Sequence, residues 1–184
     1  MKQLSILMIL GAIFIACSPE KKYAIELEEI NRYETSIDSL KDLYLTINFD
    51  SLIYIQKEAA YHEKMIKSYY MADTISIDLA QKLQYIKSIR KSLSNIQVKQ
   101  TGIGREIYAL KKQFENLEKD IVEGLLNKKQ ITEYLENEKK AYENLSAEIA
   151  QVLDNQSKQF EDFNFAMPVV HEYVEIIKPT EHQE

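Results

Sequence analysis

Apolar residues recur at steps of three and four along nearly the whole of this chain, and that spacing marks one face of an α-helix. Ile30, Tyr33, Ile37, Leu40, Tyr44 and Ile47 step this way in a first segment. Leu52, Ile55, Ala59, His62, Ile66 and Tyr69 do so in a second. Leu79, Leu83, Ile86, Leu93 and Ile96 mark a third, which runs on through Ile103, Ile107, Leu110, Phe114, Leu117 and Ile121. Leu135, Tyr142, Leu145, Ile149 and Val152, then Phe160 and Phe163, mark the last. No stretch alternates with a period of two between turn residues, so no sheet is expected. Four Gly and three Pro in 184 residues leave few places to turn. The reading is all-α: an elongated antiparallel helical bundle or coiled-coil hairpin with about four main helices.

Turn chemistry divides the helices. Asn48-Phe49-Asp50-Ser51 separates the first two, with Asp50 or Ser51 expected as N-cap. Ala72-Asp73-Thr74 separates the second from the third. Gly124 suits a helix C-terminus. Asn127 and Gln130 then stand at capping-box spacing, and Leu126 and Ile131 at hydrophobic-staple spacing. Gly102-Ile103-Gly104 is the difficult point. Two interior glycines each cost about 1 kcal/mol against Ala, yet Leu93, Ile96, Gln100, Ile103 and Ile107 stay in phase across them. One long helix, kinked at the glycines, is therefore expected. The helices are placed at about 23–46, 51–71, 76–123 and 127–163, with a short one at 168–177 after Pro168. Together, residues 23–177 make a single helical domain, and 178–184 a flexible tail. At 1.5 Å per residue the two longest helices would measure roughly 70 and 55 Å.

The N-terminus carries an address. Met1-Lys2-Gln3 leads into a predominantly apolar run from Leu4 to Ile15, followed by Ala16-Cys17 and the polar Ser18-Pro19-Glu20-Lys21-Lys22. The run is 12 residues long, short of the ~20 that span a bilayer. Phe14-Ile15-Ala16-Cys17 resembles a bacterial lipobox, with Phe14 where Leu is preferred and a small residue before the cysteine. The resemblance implies a signal peptide over 1–16, cleavage before Cys17, lipidation of Cys17 and a tether over 17–22. Acyl chains contribute roughly 0.8 kcal/mol per buried CH₂, so several chains on one cysteine would anchor firmly. The residue after the cysteine is Ser18, not the Asp that retains lipoproteins at the inner membrane. The expected location is the outer membrane, on either its periplasmic or its surface face. Cys17 is also the only cysteine, so packing must hold the fold without disulfides.

The formal net charge is −6, and charged residues make up an ordinary 28%. This acidic, evenly mixed surface argues against nucleic acid as a partner and against a polybasic membrane patch. Twelve Tyr accompany no Trp. Tyrosine buries a ring while its hydroxyl reaches water, which suits packing at the rim of a thin bundle or a contact surface for a partner.

Residues that could carry catalysis are scarce. Glu58 and His62 share a helix face, as do His171 and Glu175, and His182 lies in the tail. Two ligands fall short of the three or four a metal site needs, and the Glu-x-x-His pairs of a di-iron bundle are absent. Gly102-Ile103-Gly104-Arg105 lacks the third glycine and preceding strand of a dinucleotide fingerprint. The sole cysteine would be lipidated, so no thiol nucleophile remains. No cofactor, metal or catalytic residue is expected. Convergence of His62, His171 and several carboxylates would reopen the case for an enzyme.

Asp38-Ser39-Leu40, Asp50-Ser51-Leu52 and Asp73-Thr74-Ile75 each resemble the Asp-Ser/Thr-apolar site at which exported proteins of Bacteroidetes-type bacteria are O-glycosylated. Ser51, Thr74 and Ser39 are thus candidate acceptors, and helix capping is the competing explanation. Gln113-Phe114-Glu115-Asn116-Leu117-Glu118-Lys119-Asp120, continuing through the hairpin to Glu138-Lys139-Lys140, is similar to small helical, coiled-coil lipoproteins of Bacteroidetes without assigned function. The expected role is non-enzymatic: a lipid-anchored scaffold, spacer or accessory subunit of the cell envelope. It would bind another envelope protein or a second copy of itself. A carrier holding an apolar molecule between its helices is the alternative.

Overall fold

Residues 19–179 are described by the computed structural model of the chain. The expected signal peptide over 1–16, Cys17 and the part of the expected tail beyond Pro179 lie outside them. Of the described residues 87% are helical and none forms a strand. The elements are α1 (Pro19–Lys22), α2 (Ala24–Leu45), α3 (Phe49–Tyr69), α4 (Ile77–Ser92), α5 (Ile96–Val122) and α6 (Lys128–Ile177). Pro19 to Lys22, expected as part of a tether, form a helical turn that leads into α2 through Tyr23 N–H to Pro19 O and Leu27 N–H to Tyr23 O, each at 3.0 Å.

Within residues 23–177 the helices gather into two compact units. The first joins the chain up to Tyr44 with Gly104–Ala147, and the second joins Leu45–Ile103 with the chain from Glu148 onward. The contacts of the first unit give its register. Pro19 approaches Gly124, Tyr33 stacks on Phe114 with ring centroids 5.3 Å apart, Asp38 pairs with Lys111, and Tyr44 approaches Gly104. Numbers rise on α2 as they fall on α5, so these two run antiparallel. Glu26 pairs with Lys128, Glu29 with Lys139, and Tyr33 meets Tyr142 edge-on at 5.2 Å. Hence α2 runs parallel to this part of α6. Ile30, Ile37, Leu40, Ile107, Leu110, Phe114, Leu117, Ile121, Ile131, Leu135 and Leu145 are buried between the three. Full burial of such a side chain contributes about 1.5–3 kcal/mol relative to exposure.

The second unit has the same plan. Asn48 N–H donates to Gln156 Oε1, the Tyr54 and Phe163 rings meet at 6.3 Å, and His62 meets His171. Thus α3 runs parallel to the latter part of α6. Ser92 bonds Gln159 while Tyr85 meets Phe165 at 5.3 Å, so α4 runs antiparallel to this part of α6 and hence to α3, which Arg90 reaches at Glu63. Phe49, Leu52, Ile55, Ala59, Ile66, Leu79, Ile86, Ile89, Leu93, Ile149, Val152, Ala166, Val170 and Val174 fill this core.

The helix ends show where local chemistry decides. The cap of α3 is Asn48, not Asp50 or Ser51: its Oδ1 accepts from Ser51 N–H at 3.1 Å. Ser76 caps α4 by accepting from Leu79 N–H. Gly124 adopts φ +71°, and Gly124 N–H to Ile121 O and Leu125 N–H to Asp120 O close a Schellman motif. Asn127 N–H donates to Gln130 Oε1 at 3.0 Å while Gln130 N–H donates to Asn127 Oδ1 at 3.1 Å. The reciprocal box expected from spacing is thus formed, with Asn in place of Ser or Thr.

Two expected boundaries move. The long helix over 76–123 breaks at Leu93–Asn95, not at the glycines, which sit inside α5. Ser92 Oγ bonds Ile89 O and Gln159 Oε1, both at 3.1 Å; Leu93 N–H keeps its helical partner Ile89 O, but Ser94 and Ile96 N–H bond Lys91 O and Leu93 O, three residues back, and the ladder is interrupted there. At the other end, α6 does not stop at 163. It continues through Pro168 to Ile177 as one 50-residue helix. Pro168 is exposed, as is Asn164, whose carbonyl is the one the missing N–H would have bonded.

Candidate functional site

The residues singled out by the sequence fall into different places. Cys17 lies outside the described residues. Ser39 is exposed on α2 and donates its hydroxyl to Thr35 O at 3.1 Å. Ser51 is half-buried in the first turn of α3. Thr74 is exposed on non-helical backbone between α3 and α4, where every residue from Met71 to Asp78 is exposed and the Tyr70 hydroxyl donates to Thr74 O at 2.9 Å. Of the three hydroxyls, Thr74 is therefore the one carried by open, non-helical chain. Ser39 belongs to the first unit, Ser51 and Thr74 to the second.

The histidines, by contrast, come together. His62 is only 2% exposed on α3, and its Nε2 lies 3.1 Å from Nδ1 of His171 on α6. On the other side of the ring, His62 Nδ1 lies 2.9 Å from Glu58 O and 3.7 Å from the Glu58 carboxylate. The Tyr61 ring stands edge-on at 5.1 Å. Proton roles follow from the partners. A carbonyl oxygen only accepts, so His62 Nδ1 carries the hydrogen it donates to Glu58 O. In the neutral ring Nε2 is then the acceptor, and His171 Nδ1 is the donor. One contact thus sets the tautomer of both rings. Sequence reasoning placed His62 and His171 on separate faces, each near a glutamate. Nothing local reveals that helices 109 residues apart in sequence align them.

One residue on, Glu63 is buried at 7% exposure and bridges two elements. Lys67 Nζ contacts its Oε1 at 2.5 Å, and Arg90 Nε from α4 contacts its Oε2. Burial pushes the Glu63 carboxyl up, but the hydrogen bonds from Lys67 and Arg90 outweigh it and hold the group below its ordinary 4.5. The pair is a structural tie between α3 and α4.

Beside the break at Leu93–Asn95, a notch of about 310 Å³ opens over Leu52, Leu93, Ile96 and Val152. Its walls are polar: Ser92, Lys99, Asn155 and the amides of Gln151, Gln156 and Gln159. Two of those amides are engaged, Gln156 with Asn48 and Gln159 with Ser92.

Among the described residues no group of three or more His, Cys, Asp or Glu side chains is placed to hold a metal ion. The two imidazole nitrogens alone fall short of a zinc ligand set. No protein-family model, curated protein or solved structure matches the chain.

Proposed function

We propose that the protein is a lipid-anchored component of the bacterial cell envelope, a scaffold or accessory subunit that works through protein–protein contacts made by its helices. The observation that carries this reading is the lipobox-like Phe14-Ile15-Ala16-Cys17 at the end of a 12-residue apolar run. Attachment in this reading rests on Cys17; among the described residues no helix is long and apolar enough to cross a membrane. The helices also present large apolar side chains to solvent, including Ile25 at 77%, Val98 at 73% and Tyr108 at 75% exposure. Rings and aliphatic groups so displayed are what protein contacts use. The carrier reading draws less support, since the notch beside α4 holds only about 310 Å³, the lower end of the range for ligand pockets, and amide side chains rim its apolar floor.

The test compares wild type with Cys17→Ser expressed in a diderm bacterium. Wild type should fractionate with detergent-extracted membranes and gain the mass of a diacylglyceryl and an acyl group in place of residues 1–16. Cys17→Ser should keep its leader or appear soluble. Cross-linking from Tyr108 and Val98 positions should then trap one recurring envelope protein from wild-type membranes. Unmodified Cys17 in a soluble wild-type protein overturns the anchor, and the absence of any recurring cross-link overturns the scaffold role.

A further inference from the structure

We propose that the groove between α3 and α4 around Arg90 is an anion subsite that takes the phosphate group of a soluble phosphate compound or of a lipid headgroup. Charge is segregated here, against the even mixing that composition suggests. From Leu79 to Ser92, α4 carries Lys82, Lys87, Arg90 and Lys91 and no Asp or Glu. The end of α3 adds Lys64 and Lys67. A notch of about 310 Å³ opens between the two helices, lined by Ala60, Glu63, Lys64, Lys67, Ser68 and Arg90. Three positive side chains thus share the notch with one negative one, on a chain whose net charge is −6. Lys87 and Lys91, both exposed on α4 close to Arg90 in sequence, strengthen the same field.

The buried carboxylate positions these donors without cancelling them. Glu63 is 7% exposed and both of its oxygens are engaged, Oε1 by Lys67 Nζ at 2.5 Å and Oε2 by Arg90 Nε. The Arg90 guanidinium is thereby fixed through one N–H of its five. Among the described residues its Nη groups, the Lys64 ammonium and the Ser68 hydroxyl have no hydrogen-bond partner. Donors from four side chains therefore line one notch. A carboxylate has two oxygens to offer them; a phosphate group has three and carries up to about two charges at pH 7. The guanidinium fork also matches a phosphate bidentately. The carbonyls that end α3 oppose an anion with about half an elementary charge, less than the unbalanced charge of the lining side chains.

Preorganisation sets how tightly such a site can hold. Arg90, with its side chain 34% exposed, is already pinned, as is Lys67. Lys64 is exposed and must be ordered by the ligand. Binding of a small diphosphate should therefore be moderate, with half-saturation at about 1 mM or below. Nothing in the site requires the anchor at Cys17.

A ¹⁵N NMR titration of the full chain in uncharged maltoside micelles at pH 7 tests this, with inorganic pyrophosphate as the probe and acetate at matched ionic strength as the comparison. In wild type, the Arg90 Nε–H and the Lys64, Lys67 and Ser68 amides should shift together and saturate with pyrophosphate, and acetate should bind at least about tenfold more weakly. Lys64→Glu reverses one charge at an exposed position that ties nothing, so its urea midpoint should match wild type while pyrophosphate binding weakens at least about tenfold. Lys64→Gln should fall between the two. Doping the micelles with phosphatidylglycerol separates the sources. Movement of the same resonances on doping, reduced in Lys64→Glu, assigns a lipid headgroup; movement with pyrophosphate but not on doping assigns a soluble phosphate compound. No saturable shift with either, equal binding of acetate, or wild-type affinity in Lys64→Glu would each overturn the site.

Discussion

Glu34 sits on α2 with its Oε1 buried and without a hydrogen-bond partner. Loss of water pushes its carboxyl above the ordinary 4.5; Glu118 and Glu115 push in the same direction, Lys111 opposes them, and Asp38 adds to the rise. A carboxyl whose folded value is raised disfavours folding once it ionises. That cost is absent below pH 4.5 and is fully present above the raised folded value. Glu34→Gln should therefore stabilise the protein at pH 7, by up to about 0.5 kcal/mol because the group remains largely solvated. Urea melts at pH 7 and pH 4 check it: the gain should be present at the first and gone at the second. Glu63 has the opposite sign. Its stabilisation is present above pH 4.5 and is lost as pH falls through its lowered folded value. For Glu63 one partner, Lys67, stands only four residues on in the sequence, but Arg90 lies 27 positions away and the charges around Glu34 about 80, and packing alone brings these close.

At the scale of the helix, local chemistry was legible wherever it acted through neighbours in sequence. Gly124 and the Asn127–Gln130 box needed only residues a few positions apart, and the structure forms both. The break at Leu93–Asn95 was hidden because the apolar seam keeps its phase through it: Leu93, Ile96, Ile103 and Ile107 are all buried. The signal that could have found it was the run of Ser92, Ser94 and Asn95, whose side chains compete with helical bonding. Pro168 misled in the reverse sense, since an exposed proline on the solvent side of a helix interrupts one bond without ending it. The glycines within α5 differ from each other. A Cβ on Gly102 would meet open space, whereas one on Gly104 would come within 3.3 Å of the Tyr44 hydroxyl. Gly102→Ala should stabilise by up to about 1 kcal/mol. Gly104→Ala should yield less, because Tyr44 must shift to admit the methyl. Thermal melts of the two variants, read side by side, check the order.

The all-α class could be read from periodicity because every seam had to face an apolar neighbour. The sorting of those seams into two units could not, because it depends on which helix each seam faces. Phe114 is fully buried and stacked on Tyr33 in the first unit, and Ile86 is fully buried in the second. Phe114→Ala should cost about 3–5 kcal/mol and Ile86→Ala about 2–5 kcal/mol. Hydrogen exchange should show protection lost first over 104–122 and 128–147 for Phe114→Ala, and first over 49–69 and 77–92 for Ile86→Ala. Uniform loss across 19–179 in both variants would mean that the units open together. The last helix, Lys128–Ile177, supplies the third member of each unit. A chain made from its N-terminus onward therefore leaves the ribosome with neither core able to close until its final third has emerged. A premature stop anywhere before residue 128 would strand both sets of paired helices, while one shortly after 147 would complete the first and orphan the second.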